Sequence, residues 1–195
     1  MPVAQSKRLY GAIKSVAYRF CRLTLPTVPV PVLGLAWGLG AALPVLARAT
    51  PYLKSGLVTH GVDGDTIWVK TSANRKPLKV RIVGIDAPES CQSGGRASHD
   101  ALAQRLSGQV VTLQTASSRS HDTYGRVLAK IDLRGDDVGR WMVSSGHAWS
   151  YSYRRSGGPY ALEQAEAVQA RRGLFADTAA EDPRSFRKRH GSCYP

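Results

Sequence analysis

Acidic residues are missing from the first 49 positions, which hold six Lys or Arg: Lys7, Arg8, Lys14, Arg19, Arg22 and Arg48. From Leu23 to Ala47 no charge of either sign appears, and "VLGLAWGLGAALPVLA" forms an apolar centre. A basic flank, an apolar run and small residues at Ala47 and Ala49 follow the order that an export-signal peptidase accepts, so residues 1–49 are read as a signal peptide cut after Ala49. The uncharged run also reaches the roughly 20 residues that span a bilayer, which leaves an uncleaved N-terminal membrane anchor as the alternative. Pro26, Pro29, Pro31 and Pro44 interrupt a continuous membrane helix and favour cleavage. Either way the basic flank stays in the cytoplasm and the remainder is exported, to the periplasm or the medium. A mitochondrial presequence is a third reading of the same acid-free stretch.

Cysteine is scarce as well. Cys21 falls in the discarded or cytoplasmic part, leaving Cys91 and Cys193 for an oxidising compartment, where two cysteines allow one pairing. Such a bridge would pin the C-terminal tail beside residues 86–90 and stabilise by roughly 4–5 kcal/mol on the loop-entropy account; two free thiols are the other reading. His99, His121, His147 and His190 stand alone without zinc-site spacing, so they read as surface or packing residues. No internal repeat and no low-complexity linker divides the chain. At 195 residues it has room for one domain with a core and an appendage.

The formal charge is +13, of which +7 remains beyond residue 49. That excess suits a polyanion such as nucleic acid, and equally a solvated basic surface. Along the mature part, "LVTHGV" (57–62) and "TIWVKT" (66–71) are strand segments around an Asp-Gly turn. "LKVRIVGI" predicts a third strand, "GGRASHDALAQRLSG" a helix ended by Gly108, and "QVVTLQT" and "RVLAKIDL" the fourth and fifth strands. "DDVGRWMVSSGH" predicts a short helix behind acidic caps. "PYALEQAEAVQARRG" predicts a longer one between Pro159 and Gly173, and residues 177–195 read as an irregular basic tail. Three strands, a helix, two strands and further helices point to an α+β fold. The expectation is a five-stranded OB-type barrel with about three packed helices over 50–176, although the order also fits other α+β folds.

Taken singly, the polar residues near these strand ends are ordinary. Asp65 is a turn aspartate, Asp86 and Glu89 flank a strand-ending Pro88, and Arg81 and Arg126 could be solvated. Together they supply three carboxylates and two guanidiniums in a basic protein. Three carboxylates, one divalent cation, two guanidiniums and one phosphodiester add to no net charge, and oxygen ligands are what Ca²⁺ or Mg²⁺ prefers. In a regular strand Arg81 and Asp86 would face opposite sides, so a backbone irregularity is expected between Val83 and Ala87, with Gly84 able to host it.

"VDGDT", "VRIVGIDAPE" and "DTYGR", in that order, resemble the three signature segments of the staphylococcal nuclease (thermonuclease) family. The resemblance runs from about Leu57 to Phe175 and includes "SGHAWSYSY" and "RRGLF". It implies that Asp65, Asp86 and the backbone carbonyl of Ala87 are Ca²⁺ ligands. It also implies that Glu89 orients or deprotonates the attacking water, and that Arg81 and Arg126 grip the scissile phosphate. Asp63 corresponds to a nearby acid outside direct contact, and Tyr124 and Tyr151 to tyrosines around the nucleotide. Ala87 stands where Thr is frequent, and Phe175 where Trp is frequent. The loop after Glu89, "SCQSGGR", is shorter than in the staphylococcal enzyme and lacks its lysines.

The implied activity is hydrolysis of DNA and RNA with little sequence preference, leaving a 3′-phosphate and a 5′-hydroxyl. A cation and two planar guanidinium forks offset the anionic oxygens that repel a nucleophile, and a positioned carboxylate takes the water's proton. The competing reading is an OB-type module that binds single-stranded nucleic acid without cutting it. No obligate protein partner is expected, and membrane contact only where residues 1–49 are retained.

Overall fold

The computed structural model describes residues 52–151 and 157–193. The expected signal or anchor segment, residues 1–49, lies outside them. The chain runs β1 (Tyr52–Gly61), β2 (Thr66–Thr71), β3 (Leu78–Ile82), β4 (Ile85–Asp86), α1 (Gly95–Leu106), β5 (Val110–Thr115), β6 (Val127–Leu133), β7 (Asp136–Asp137), α2 (Val138–Ser144), β8 (Trp149–Ser150), α3 (Ala161–Gln169), a 3-10 turn (Gly173–Ala176) and α4 (Pro183–His190).

β1 pairs antiparallel with β2 on one side and with β5 on the other. β3 continues antiparallel from β2, β6 continues antiparallel from β5, and parallel pairing of β3 with β6 closes the ring. Five strands thus make a closed barrel without free sheet edges, the OB-type α+β architecture read from the sequence. Thr59 is the extra residue of a bulge, since Val58 faces Val69 while His60 already faces Trp68; the added twist helps a short sheet curl shut. Alternating inward residues such as Ile67, Val69, Val80, Ile82, Leu113 and Ile131 fill the barrel, and Leu102 and Leu106, one turn apart on α1, join the same buried cluster. Among the described residues no helix is long and apolar enough to cross a membrane.

Two departures from the sequence reading matter for the site. The run 78–85 is not one strand: it breaks at Val83–Gly84, where Gly84 has φ +83°, and resumes as β4, which pairs with β8. This break lies inside the interval where an irregularity is expected. The second departure is a correction to the tail alone, which is not irregular, because Pro183–His190 form α4; the barrel with its packed helices is the fold read from the sequence. Asp182 caps α4 by accepting from the Ser185 amide at 3.0 Å, Pro183 occupies the helix start, and Arg187, Lys188, Arg189 and His190 complement the carbonyl end of the dipole. The basic composition that suggests a solvated tail is also the favourable charge for a helix C-terminus.

Cys91 and Cys193 are bonded, with Cα atoms 5.7 Å apart and 102 positions apart in sequence.

Candidate active site

Strand register decides which charges meet. Thr66 lies directly opposite Arg81, and the Ile82 amide donates to the Asp65 carbonyl at 2.8 Å, so Asp65 sits beside the end of β3. The parallel β3–β6 pair sets Val80 against Val127 and Arg81 against Leu128, bringing Arg126 to the same barrel end. The turn at Gly84 then folds the chain back so that Asp86 lies within reach of Arg81.

Asp65 and Asp86 share one guanidinium. Arg81 Nη1 is 2.5 Å from Asp65 Oδ2 and Nη2 is 3.2 Å from Asp86 Oδ1. Nη1 also donates to the carbonyls of Ile82 and Ile85, at 3.3 and 3.2 Å. Asp65 is held further by Thr66 Oγ1 at 2.9 Å and by the Ala87 amide at 3.2 Å, while Asp63 accepts from the Asp65 amide at 3.0 Å. Burial pushes the Asp65 carboxyl up to about 6 and outweighs the opposing pull of Arg81.

Glu89 stands next to this pair, and its backbone is fixed on both sides. The Glu89 amide donates to Gln92 Oε1 at 3.1 Å, while the Glu89 carbonyl accepts from the Gln92 amide at 2.9 Å. Gly95, the first residue of α1, packs on that carbonyl so closely that an added Cβ would lie 1.9 Å from it. Glu89 Oε1 accepts from Arg187 Nη1 at 2.8 Å, and the same guanidinium reaches Asp86, with Nη2 to Oδ2 at 2.9 Å and Nη1 to Oδ1 at 3.2 Å. Partial burial works against the charged form of Arg187, but the bonds to Asp86 and Glu89 outweigh it and raise the pKa further.

Arg126 joins the cluster through an intermediary. Its Nε donates to Asp122 Oδ2 at 2.7 Å, and its Nη1 lies 3.4 Å from Thr66 Oγ1, the hydroxyl that donates to Asp65. Partial burial pushes Asp122 up, but the bonds and charge of Arg126 outweigh it and hold the carboxyl below its usual range. Tyr124, 82% exposed, places its ring 5.4 Å from the Arg126 guanidinium. Tyr151 is exposed too, and its amide donates to the Gly84 carbonyl at 2.9 Å. His147 packs against Trp141 and is lowered by burial, in keeping with a packing histidine.

Thus Asp65, Arg81, Asp86, Ala87 and Glu89 come together, with Arg126 and Tyr124 at the edge. Asp122 and Arg187 are additions that sequence reasoning does not supply. Asp122 precedes Arg126 by four residues, a spacing that could have marked it as a partner; nothing local in the sequence joins residue 187 to residues 86 and 89. Among the described residues no three His, Cys, Asp or Glu side chains cluster tightly enough to hold a metal unaided. The donors present are carboxylate and carbonyl oxygens without a nearby thiolate or imidazole. That set fits a hard cation completed by water and substrate oxygens rather than a closed protein cage.

A family model described as staphylococcal nuclease homologue matches residues 79–177. The chain belongs to that family. Arg81, Asp86, Glu89 and Arg126 fall inside the matched span, whereas Asp65 precedes it and α4 follows it. An uncharacterized endonuclease of Escherichia coli is 37% identical over 135 residues, covering 69% of this chain and 85% of that protein. A protein named micrococcal nuclease from Shigella flexneri is 35% identical over 147 residues, covering 68% and 80%. Protein ParB of Escherichia coli is 32% identical over 161 residues, covering 76% and 88%.

Proposed function

We propose that this protein is an exported, Ca²⁺-dependent nuclease that hydrolyses DNA and RNA with little sequence preference and leaves 3′-phosphates. Family membership and the nuclease-named relatives support phosphodiester hydrolysis. The observation that carries the reading is the shared guanidinium: Arg81 spans Asp65 and Asp86, with Glu89 alongside. Export rests on residues 1–49, and a mature protein starting at Thr50 is the corresponding expectation for mass analysis of its N-terminus.

Asp65, Asp86 and the Ala87 carbonyl would hold the cation. When bound, a hard divalent ion offsets the charge on the phosphate oxygens and the further charge that develops there during attack. Arg81 and Arg126 present planar forks suited to two oxygens of one phosphodiester. Glu89 accepts the proton of the attacking water. Arg187 occupies Glu89 Oε1, so Oε2 is the atom left for that proton. The new P–O bond forms as the P–O5′ bond breaks. The 5′ oxygen leaves and takes a proton from solvent, Glu89 returns its proton to solvent, and the phosphate stays on the 3′ side. Arg126 must exchange part of its hold on Asp122 for substrate; its Nη groups are the ones available, because Nε is engaged.

The test is digestion of single- and double-stranded DNA and of RNA with Ca²⁺, with Mg²⁺ and with a chelator, for wild type and Glu89→Gln. The expected result is Ca²⁺-supported cleavage, none in chelator, and a loss of about 10²–10⁴-fold in the variant. Cleavage in chelator, or full activity of Glu89→Gln, would end the proposal.

A further inference from the structure

α4 is tied at both ends to the loop that carries Glu89. Ahead of the helix, Gln92 Nε2 donates to the Glu181 carbonyl at 2.7 Å. Beyond it, Cys193 is bonded to Cys91. Buried Pro183 and the side chain of Phe186, which lines a cleft with Ala97, Trp149 and Leu174, seat the helix on the body of the protein. Spacings of three and four residues put Arg184, Arg187 and Lys188 on one face. Arg187 reaches Asp86 and Glu89, and Arg189 is paired with Glu181. Arg184 and Lys188 are exposed and form no ion pair among the described residues.

The charge balance of the site points the same way. Asp122 neutralises Arg126, so a count of Asp65, Asp86, Glu89, Arg81, Arg126, a divalent cation and a phosphodiester falls one positive charge short once Asp122 is included. Arg187 supplies it. A fixed helix with two unpaired cations, leading to a third at the carboxylates, suits a chain of phosphates rather than one small anion.

We propose that α4 is a nucleic-acid-binding arm of this site. Arg184 and Lys188 hold the phosphodiester backbone beyond the scissile bond, and Arg187, kept on Asp86 and Glu89, joins the helix to the site. The inference rests on the nuclease reading and deepens it.

The experiment measures binding of a fluorescein-labelled single-stranded oligodeoxynucleotide by anisotropy, in chelator and over a range of salt. Arg184→Ala/Lys188→Ala, two exposed substitutions that leave the fold intact, should weaken binding about fivefold or more. The log–log salt slope should fall by about 1.4, or about 0.7 for each phosphate that the helix no longer neutralises. Lys70→Ala/Arg75→Ala, at the opposite end of the β2–β3 hairpin from Asp65, should change little. Cys91→Ser/Cys193→Ser, which frees one end of the arm, should also weaken binding, and the cost of the α4 pair should shrink in that background.

Unchanged affinity in the α4 variant, or an equal loss in the hairpin control, would overturn the arm. Tighter binding after removal of the disulfide would overturn it as well, showing α4 to be a strap over the site. A wild type that neither binds the oligonucleotide nor cleaves it with Ca²⁺ would overturn the nuclease reading together with the arm, whereas a cleaving wild type with no binding in chelator, or with an indifferent α4, overturns the arm alone.

Discussion

Arg187 Nη1 donates to Glu89 Oε1 at 2.8 Å, joining residues 98 positions apart at the centre of the acidic site. The bond gives the proposed base one occupied and one open oxygen. It also sets a second positive charge, after that of Arg81, against Asp86.

Replacing Arg187 by Ala removes that like charge, so the cation site should tighten. Calorimetry with Ca²⁺, or Tb³⁺ luminescence, should show about tenfold higher affinity, equivalent to about 1.4 kcal/mol. The side chain is 35% exposed, so solvent screening keeps the effect well below the unscreened value. An unaltered dissociation constant would separate Arg187 from the ground the cation occupies.

Arg81 serves two carboxylates and two backbone carbonyls. Lys at this position keeps the charge and loses the planar fork. Turnover should drop at least about tenfold, with a stability loss of about 1–3 kcal/mol in urea titration. Wild-type turnover would remove Arg81 from phosphate binding.

Burial raises Asp65 to about 6, against an ordinary aspartate near 3.8. Between those values the folded chain keeps a proton that the unfolded chain has released, so in chelator stability should fall as pH rises from about 4 to 6. Asp65→Asn should flatten that interval and stabilise the cation-free protein at neutral pH. Thermal melts across the range check it; a wild-type slope retained by the variant would assign the dependence to another group.

Gly84 has φ +83°, and a Cβ there would lie 2.7 Å from Pro159 Cγ and 3.0 Å from Tyr160 Cε2. Gly84→Ala should cost about 1–3 kcal/mol and reduce activity by moving Asp86 relative to Arg81. Gly135 has φ +93° with open space around it, so Gly135→Ala should cost about 1 kcal/mol and spare activity. Equal losses at both positions would show that close packing at Gly84 contributes nothing.

Most of the barrel is legible because its strands carry period-two burial and its turns carry Asp-Gly, Gly and Pro at the required places. Thr66–Thr71 and Val110–Thr115 match the segments read from the sequence within a residue. The break after Ile82 is legible only as a contradiction, since an unbroken strand would turn Arg81 away from Asp86. α4 escapes a reading by composition although Asp182, Pro183 and the terminal cations mark both its ends. Four cations within eight residues resemble a solvated run unless the helix dipole that favours them is counted.

The sequence by itself determined the chemical inventory: oxygen donors, planar cations, a few cysteines, and strands that must close on an apolar interior. Residue type and short-range periodicity suffice for these because they depend on neighbours along the chain. Only the tertiary structure decided which charges compensate one another. Parallel pairing of β3 with β6 delivered Arg126, the turn at Gly84 delivered Asp86, and the two ties to α4 delivered Arg187. Hydrogen bonds and Coulomb attraction act through space over a few ångströms, and contacts across 60 to 101 residues leave no periodic trace in the chain.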